Sequence, residues 1–267
     1  MSRKSIVVIG GGSAGATITR ILSSKLDANT TSLTLVTARP FAVHLPAAIR
    51  MTTTSEGKLE ESCLIPYDSL LVKNNGTIKI GRVSAIEQGK EGRDGSVVLT
   101  SGERIHYDFL VIAPGSEWDG PLSLADDRAA VLEHIKAWRR KFENSKNGII
   151  LAGGGAVGIG TVLFCPSYCN LLNSYFPFSE YVGEIKDAFP NKRVTIVHSD
   201  SQLLNSSYPN KYRKRVENDL TARGVNIIFN DYVDDFEGTP VKTRSGRQID
   251  GDLVVCPFLG YKLGWFF

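Results

Sequence analysis

Two short glycine runs carry most of the chemistry that can be read from this chain. Gly10-Gly11-Gly12-Ser13-Ala14-Gly15 follows the apolar run Ser5-Ile6-Val7-Val8-Ile9, and Gly153-Gly154-Gly155-Ala156-Val157-Gly158 follows Ile149-Ile150-Leu151-Ala152. The spacing suits a diphosphate. The first glycine (Gly10, Gly153) permits a tight turn, and the second (Gly12, Gly155) has no side chain to block an approaching phosphate. The third (Gly15, Gly158) lets the next helix pack close to the strand. That helix start offers unpaired N–H groups and a positive dipole end. One such glycine pattern is weak evidence; two, each behind a strand, are far more specific.

These turns need a strand before them and a helix after them. Lys4 to Ile9 is a β-branched run of strand length, and Ala16 to Leu22 has helical spacing. The next strand is Leu33 to Arg39, where a ribose-binding acid belongs about 20 residues past the glycines. Thr37 and Ala38 stand there, leaving a hydroxyl for the ribose. The second unit has Arg193 to Ser199 as its second strand, ending in His198 and Ser199; with no carboxylate there to repel a 2′-phosphate, NADPH is permitted. A lone histidine at such a position is read first as a packing or surface residue. Ile80 to Ile86 reads as a further strand. Ile105 to Ser116 reads as a hairpin and strand closing on the small-residue turn Ala113-Pro114-Gly115-Ser116, a pattern repeated at Gly246 to Val255. The fold expected is α/β with two Rossmann-like dinucleotide-binding units.

Composition is that of a soluble globular chain with a real core: 267 residues, 42% hydrophobic and 22% charged. A net charge of +3 with scattered Lys and Arg gives no nucleic-acid surface, and the basic run Lys211 to Arg215 reads as an exposed helix face. No apolar run reaches the roughly 18 residues of a membrane span, and no signal peptide precedes Lys4. The expectation is a cytoplasmic protein without a transmembrane segment, with peripheral membrane contact left open. Four cysteines without an export signal point to a reducing compartment.

On these motifs the chain resembles the pyridine nucleotide-disulphide oxidoreductase superfamily, and within it the apoptosis-inducing-factor-like flavoproteins (ferroptosis suppressor protein-like). The matching stretches are Ile6 to Gly15, Phe41 to Arg50, Tyr107 to Ser116, Gly153 to Ile159 and Val194 to Leu204. The resemblance implies FAD on Gly10, Gly11, Gly12, Ser13, Ala14 and Gly15, with Arg50, Val83, Ala113 and Gly115 also at the flavin nucleotide. It implies NAD(P)H on Gly153, Gly155 and Gly158. Pro114 stands where the family usually has Thr, so a hydroxyl contact is lost there. The disulphide-reductase branch needs a cysteine pair soon after the first fingerprint, whereas Cys63 is the only early cysteine. The implied reaction is electron transfer from NAD(P)H through the flavin to a quinone or similar small acceptor, with no acid–base residue required. A type II NADH dehydrogenase shares both fingerprints and would need a membrane-binding C-terminus.

Two stretches depart from that pattern. Residues 160–179 contain Pro166 and Pro177 where a helix should continue. Without them, Ile159 joins Glu180-Tyr181-Val182-Gly183-Glu184-Ile185, the family's usual continuation. The residues permit a translated, unspliced intron here and another beginning at Val255-Cys256, so the Cys165/Cys169 pair is not read as a metal site. The expected organisation is an incomplete FAD-binding domain at 1–117, an NAD(P)H-binding domain at 118–255 inserted into it, and an anomalous tail at 256–267. The family's return to the flavin domain is missing, which should leave an exposed sheet edge. The competing reading is therefore a truncated, catalytically inactive nucleotide-binding product.

Overall fold

The computed structural model describes residues 3–89, 94–155 and 181–256. Residues 156–180, which contain Gly158 and the anomalous stretch 160–179, and residues 257–267 lie outside the described residues.

The first unit opens with β1 (Lys4–Ile9), whose buried C-terminal half feeds α1 (Ser13–Lys25) and then β2 (Thr31–Thr37). A short excursion follows: β3 (Phe41–Val43), α2 (Leu45–Thr53), α3 (Glu60–Cys63) and β4 (Leu64–Pro66), with β3 and β4 antiparallel. The chain returns through β5 (Thr77–Ile80), the meander β6 (Val83–Gln88), β7 (Gly95–Leu99) and β8 (Arg104–Tyr107), and β9 (Phe109–Ile112). Strands β5, β2, β1 and β9 form one parallel sheet in that order. The single strand expected over Ile80 to Ile86 is instead two. The chain parts at Gly81-Arg82, where the Gly81 amide donates to Thr37 O at 2.8 Å, and β6 leaves for the meander.

Alternation along β1 divides the packing. Val7 and Ile9 face the meander, clustering with Val83, Val97, Leu99 and Tyr107, while Val8 faces the other layer with Leu33, Leu35, Tyr67 and the α1 residues Ile18 and Leu22. A parallel strand covered on both faces reads as a continuous apolar run, which is why β1 shows no polar alternation. β9 lies at the sheet edge, and Phe109 and Ile112 on it are more than half exposed.

The second unit repeats the plan. α4 (Arg128–Asn144), N-capped by the Asp127 carboxylate accepting from Ala130 N, leads to β10 (Ile149–Ala152). Then come α5 (Tyr181–Ala188), β11 (Val194–His198), α6 (Asn210–Ala222) and β12 (Val225–Phe229), followed by the hairpin of β13 (Val241–Lys242) and β14 (Gln248–Ile249) and by β15 (Leu253–Val255). The parallel order is β12, β11, β10, β15. The basic run at Lys211 to Arg215 lies on α6, but Arg213 turns inward, spending its guanidinium on the carbonyls of Gln202, Leu203 and Leu204.

In both units a carboxylate just before the last strand grips the entry to the first. Asp108 accepts from Ser5 N at 2.7 Å and from Lys4 Nζ at 2.8 Å. Asp252 accepts from Lys146 N at 2.8 Å, Asn147 N at 3.1 Å and Ser145 Oγ at 2.6 Å. Burial pushes the Asp252 carboxyl up, but the Ser145 hydroxyl and the two amides outweigh it and hold the group at about 2.

The units share a core built around α2. Ala48, Ile49 and Met51 pack with Val131, Ile135 and Phe142 of α4 and with Tyr181, Val182 and Ile185 of α5. Arg139 of α4, 8% exposed, donates to Met51 O and forms a two-pronged pair with Glu60, which holds the Glu60 carboxyl below its ordinary value.

Candidate functional site: two glycine turns at the strand ends

Each sheet presents its glycine turn at the C-terminal end of its first strand. In the first unit Gly10 N donates to Val36 O and Ala113 N donates to Ile9 O, both at 2.8 Å. Gly10 has φ +99°, and a Cβ there would lie 2.0 Å from Ala113 O. A Cβ on Gly15 would lie 1.8 Å from Gly10 O. Gly12 behaves differently: its φ is −72°, and a Cβ there would meet nothing within 4 Å. Gly10 and Gly15 are therefore glycines for the fold, whereas Gly12 keeps open the space in front of α1. No side chain caps α1, and its first turn holds no acid. The amides of Ser13, Ala14 and Gly15, which have no partner inside the helix, face an uncapped, electropositive end.

Tyr67 completes this turn. Its hydroxyl donates to Gly11 O at 2.8 Å, and a Cβ on Gly11 would overlap it. Burial pushes the phenol's pKa up, so the group stays a neutral donor. The Thr37 hydroxyl, expected to serve a ribose, is instead turned inward. Thr37 is 5% exposed, sits directly below Gly11 and donates to Arg39 O at 3.2 Å. The cause is register: Val36 O takes the Gly10 amide, so the next side chain points under the glycine turn. Arg39 in turn holds Ala125 O with its Nε.

Of the other residues named from sequence, Val83 is buried among Val7, Ile9 and Val36, so what it presents is backbone. The Ala113 carbonyl packs on Gly10, and Gly115, with φ +76°, has open space around it. The Arg50 guanidinium joins the units: one amino group pairs with Glu184 at 2.9 Å and the other with Glu56 at 2.8 Å. Glu184 is nearly buried, and its pairing with Arg50 spans 134 positions.

The second turn follows the same register. Gly153, with φ +124°, donates to Val197 O at 2.8 Å, as Gly10 does to Val36 O. His198 therefore occupies the place of Thr37. It is 8% exposed, and its Nδ1 accepts from Gly154 N at 3.1 Å, so it is neither a surface residue nor mere packing. Burial keeps the imidazole's pKa below its ordinary value. The loop after β11 then folds back so that Leu204 N donates to Gly154 O at 2.8 Å. A Cβ on Gly155 would meet nothing within 4 Å, the counterpart of Gly12.

Tyr67, Glu184 and the turn-holding role of His198 had no local signal. Each acts on a residue more than 40 positions away, and only the tertiary fold brings them together. Among the described residues no cluster of three or more His, Cys, Asp or Glu is placed to hold a metal. No helix among them is long and apolar enough to cross a membrane.

Comparison with known proteins agrees with this geometry. The family model described as pyridine nucleotide-disulphide oxidoreductase matches residues 4–262. A protein named FAD-dependent oxidoreductase FVFD30, from Flammulina velutipes, is 37% identical over 77% of this chain and 58% of its own length. Apoptosis-inducing factor homolog A of Dictyostelium discoideum is 27% identical over 98% of the chain and 61% of its own length. Ferroptosis suppressor protein 1 of Taeniopygia guttata is 26% identical over 94% and 61%. The chain thus spans about three-fifths of the length of these relatives. Among solved structures, the covalent putidaredoxin reductase–putidaredoxin complex superposes with a TM-score of 0.67 at 22% identity, covering 96% of this chain and 58% of that one. At that identity the likeness concerns the fold.

Proposed function

Because the chain belongs to the pyridine nucleotide-disulphide oxidoreductase family, we propose that its two glycine turns hold FAD and NAD(P)H and that electrons pass from the second to the first. The observation that carries this reading is the pair of open positions, Gly12 and Gly155, each set behind a strand whose neighbouring glycines are filled by backbone or side-chain contacts. The amides at the start of α1 serve the FAD pyrophosphate. The backbone at Gly81 and Val83, beside the end of β2, lines its adenosine side. Gly153, Gly155 and Gly158 serve the nicotinamide dinucleotide.

The flavin, when bound, supplies hydride acceptance and onward electron transfer. The chain's own contribution is placement. Arg50 and Glu184 link the flavin unit to the nicotinamide unit, and α2, α4 and α5 form one continuous core between them. Cys63 is the only cysteine before residue 165, and it is buried, so among the described residues no thiol pair stands beside the first turn. We therefore assign the acceptor to the small-molecule class, a quinone or similar compound. The site assignments follow the sequence: Gly10 to Gly15, Arg50, Val83, Ala113 and Gly115 for FAD.

The test is anaerobic titration of the purified chain with NADH or NADPH while flavin absorbance is followed. Bleaching of bound flavin, and its return on adding a soluble quinone, is the expected result. The competing reading, a product that binds nucleotide without turnover, draws on the place of β9 at the edge of its sheet among the described residues. It predicts nucleotide binding with no bleaching, and that outcome would replace the enzyme reading.

A further inference from the structure

The face of the second sheet beneath the β13–β14 hairpin changes character along its strands. Register puts Ala152, Val197 and Ile228 in one row, and these are buried with Val233, Val241 and Ile249. The preceding row is Ile150, Thr195 and Asn226, of which only Ile150 joins that core. Asparagine is depleted in strands, so strand propensity does not account for Asn226. A cavity of about 410 Å³ opens over this polar row, with Thr195, Asn226, Arg193, Arg247, Gln248 and Asp250 in its lining. A second cavity, of about 320 Å³, shares Arg193 and Asp250 with it.

The groove lies at the end of the sheet away from the second glycine turn. Its lining includes the start of β11 and Gly148 just before β10, whereas Gly153 follows the last residue of β10. It shares no residue with either glycine turn. Its polar groups are unspent. Among the described residues the side chains of Thr195, Asn226, Arg247, Gln248 and Asp250 make no hydrogen bond or ion pair, and Arg193 spends only one amino group, on Asn147 O. Charges close by in the chain are used instead: Arg244 is paired with Asp234, and Arg223 with Asp187.

Two guanidiniums and one carboxylate leave the groove one positive charge in excess, which a monoanion balances. A guanidinium's fork matches a carboxylate with two parallel bonds. The rest of the lining suits hydroxyl groups, which both donate and accept: so do the Thr195 hydroxyl and the Asn226 and Gln248 amides, while the Asp250 carboxylate accepts. A cavity of this volume lies within the range of small-molecule sites. We propose that the groove binds a polyhydroxylated carboxylate of sugar-acid size, its carboxylate on Arg193 and Arg247 and its hydroxyls on Asp250, Asn226 and Thr195. A phosphate monoester fits less well, because its second charge would meet Asp250 uncompensated.

The experiment is ligand-observed NMR titration of the full chain with gluconate, using acetate as the bare anion and glucose as the bare polyol. Gluconate should bind about tenfold more tightly than either, and rising salt should weaken it because both arginines are exposed. Arg247→Gln should lower gluconate affinity about tenfold and leave the circular dichroism spectrum unchanged, since that side chain holds nothing in the fold. Asp250→Asn should lower gluconate affinity about threefold and raise that of acetate, because a like charge is removed. Acetate binding as tightly as gluconate would mean an adventitious ion only and overturn the proposal. So would the absence of gluconate binding, or binding that Arg247→Gln leaves unchanged, which would put the ligand elsewhere on the chain.

Discussion

Alanine at each of three glycines in the first turn should have different consequences, and the contrast tests the assignment of that turn. At Gly15 the new methyl would lie 1.8 Å from Gly10 O, a backbone atom that no rotamer change can move, so α1 must shift off β1. Overpacking of this kind costs about 1–3 kcal/mol. At Gly10 the methyl meets Ala113 O at 2.0 Å and the residue must also hold φ +99°, so the loss should be at least about 2 kcal/mol. At Gly12 there is neither strain nor contact. Alanine is a poorer N-cap than glycine by about 0.5–1 kcal/mol. The stiffer unfolded chain returns about 0.4–1 kcal/mol, so stability should stay within ~0.5 kcal/mol of wild type. The methyl would nevertheless occupy the open space before α1, and FAD affinity should fall about a hundredfold, roughly 2.7 kcal/mol. Denaturant unfolding followed by circular dichroism gives the first quantity, and flavin retained through gel filtration gives the second. If Gly12→Ala keeps its flavin in full while remaining stable, the pyrophosphate does not lie against Gly12 and the reasoning fails.

Three further outcomes follow from the same contacts. Tyr67→Phe leaves Gly11 O without its donor inside the fold and should cost about 1–2 kcal/mol in denaturant unfolding, whereas an exposed tyrosine such as Tyr232 changed to Phe should cost nothing measurable. In a double-mutant cycle of Arg50→Ala and Glu184→Gln, the coupling energy should reach about 1 kcal/mol, because one partner is nearly buried and the other a third exposed. Additive single-mutant losses would show that the pair does not join the units. The Asp252 carboxyl lies lower in the folded chain than its unfolded value of 3.8, so its contribution is fully present above that pH and is lost as pH falls towards about 2. Asp252→Asn should remove about 1 kcal/mol at neutral pH, after discounting for the group's exposure, and flatten the acid limb of a stability–pH profile.

What the sequence reveals here is what short-range chemistry determines. Gly10 to Gly15 could be assigned because strand, turn and helix are contiguous, and each glycine's role follows from its neighbours. The same holds for β10 and Gly153. Arg50 was legible as a functional candidate, but not its partners, because Glu184 reaches it only after α5 packs on α2. Thr37 misled because side-chain direction at a strand end depends on which carbonyl takes the glycine amide. That register is a pairing between strands and leaves no trace in either one alone. His198 is directed under its turn in the same way, because Val197 O takes the Gly153 amide. The strand read over Ile80 to Ile86 failed because Gly81 bonds to Thr37 O and sends the chain into another sheet. Tyr67 lay in a stretch with no motif, and only its hydroxyl's distance from Gly11 O reveals its use.

The carboxylates of Asp108 and Asp252 also bear on the order in which the molecule is made. Each seals a strand whose own residues leave the ribosome roughly a hundred positions earlier: Asp108 is 103 residues from Ser5, and Asp252 is 106 from Lys146. Helix α1 can form on β1 early, but the strand itself remains unsealed until almost the whole unit has been synthesised. Contacts of such separation pay their loop-closure entropy before any reward arrives, so folding is slow and late. Nascent chains arrested just before either aspartate should therefore display protease-sensitive β1 or β10, with resistance appearing abruptly once the acid and its strand emerge.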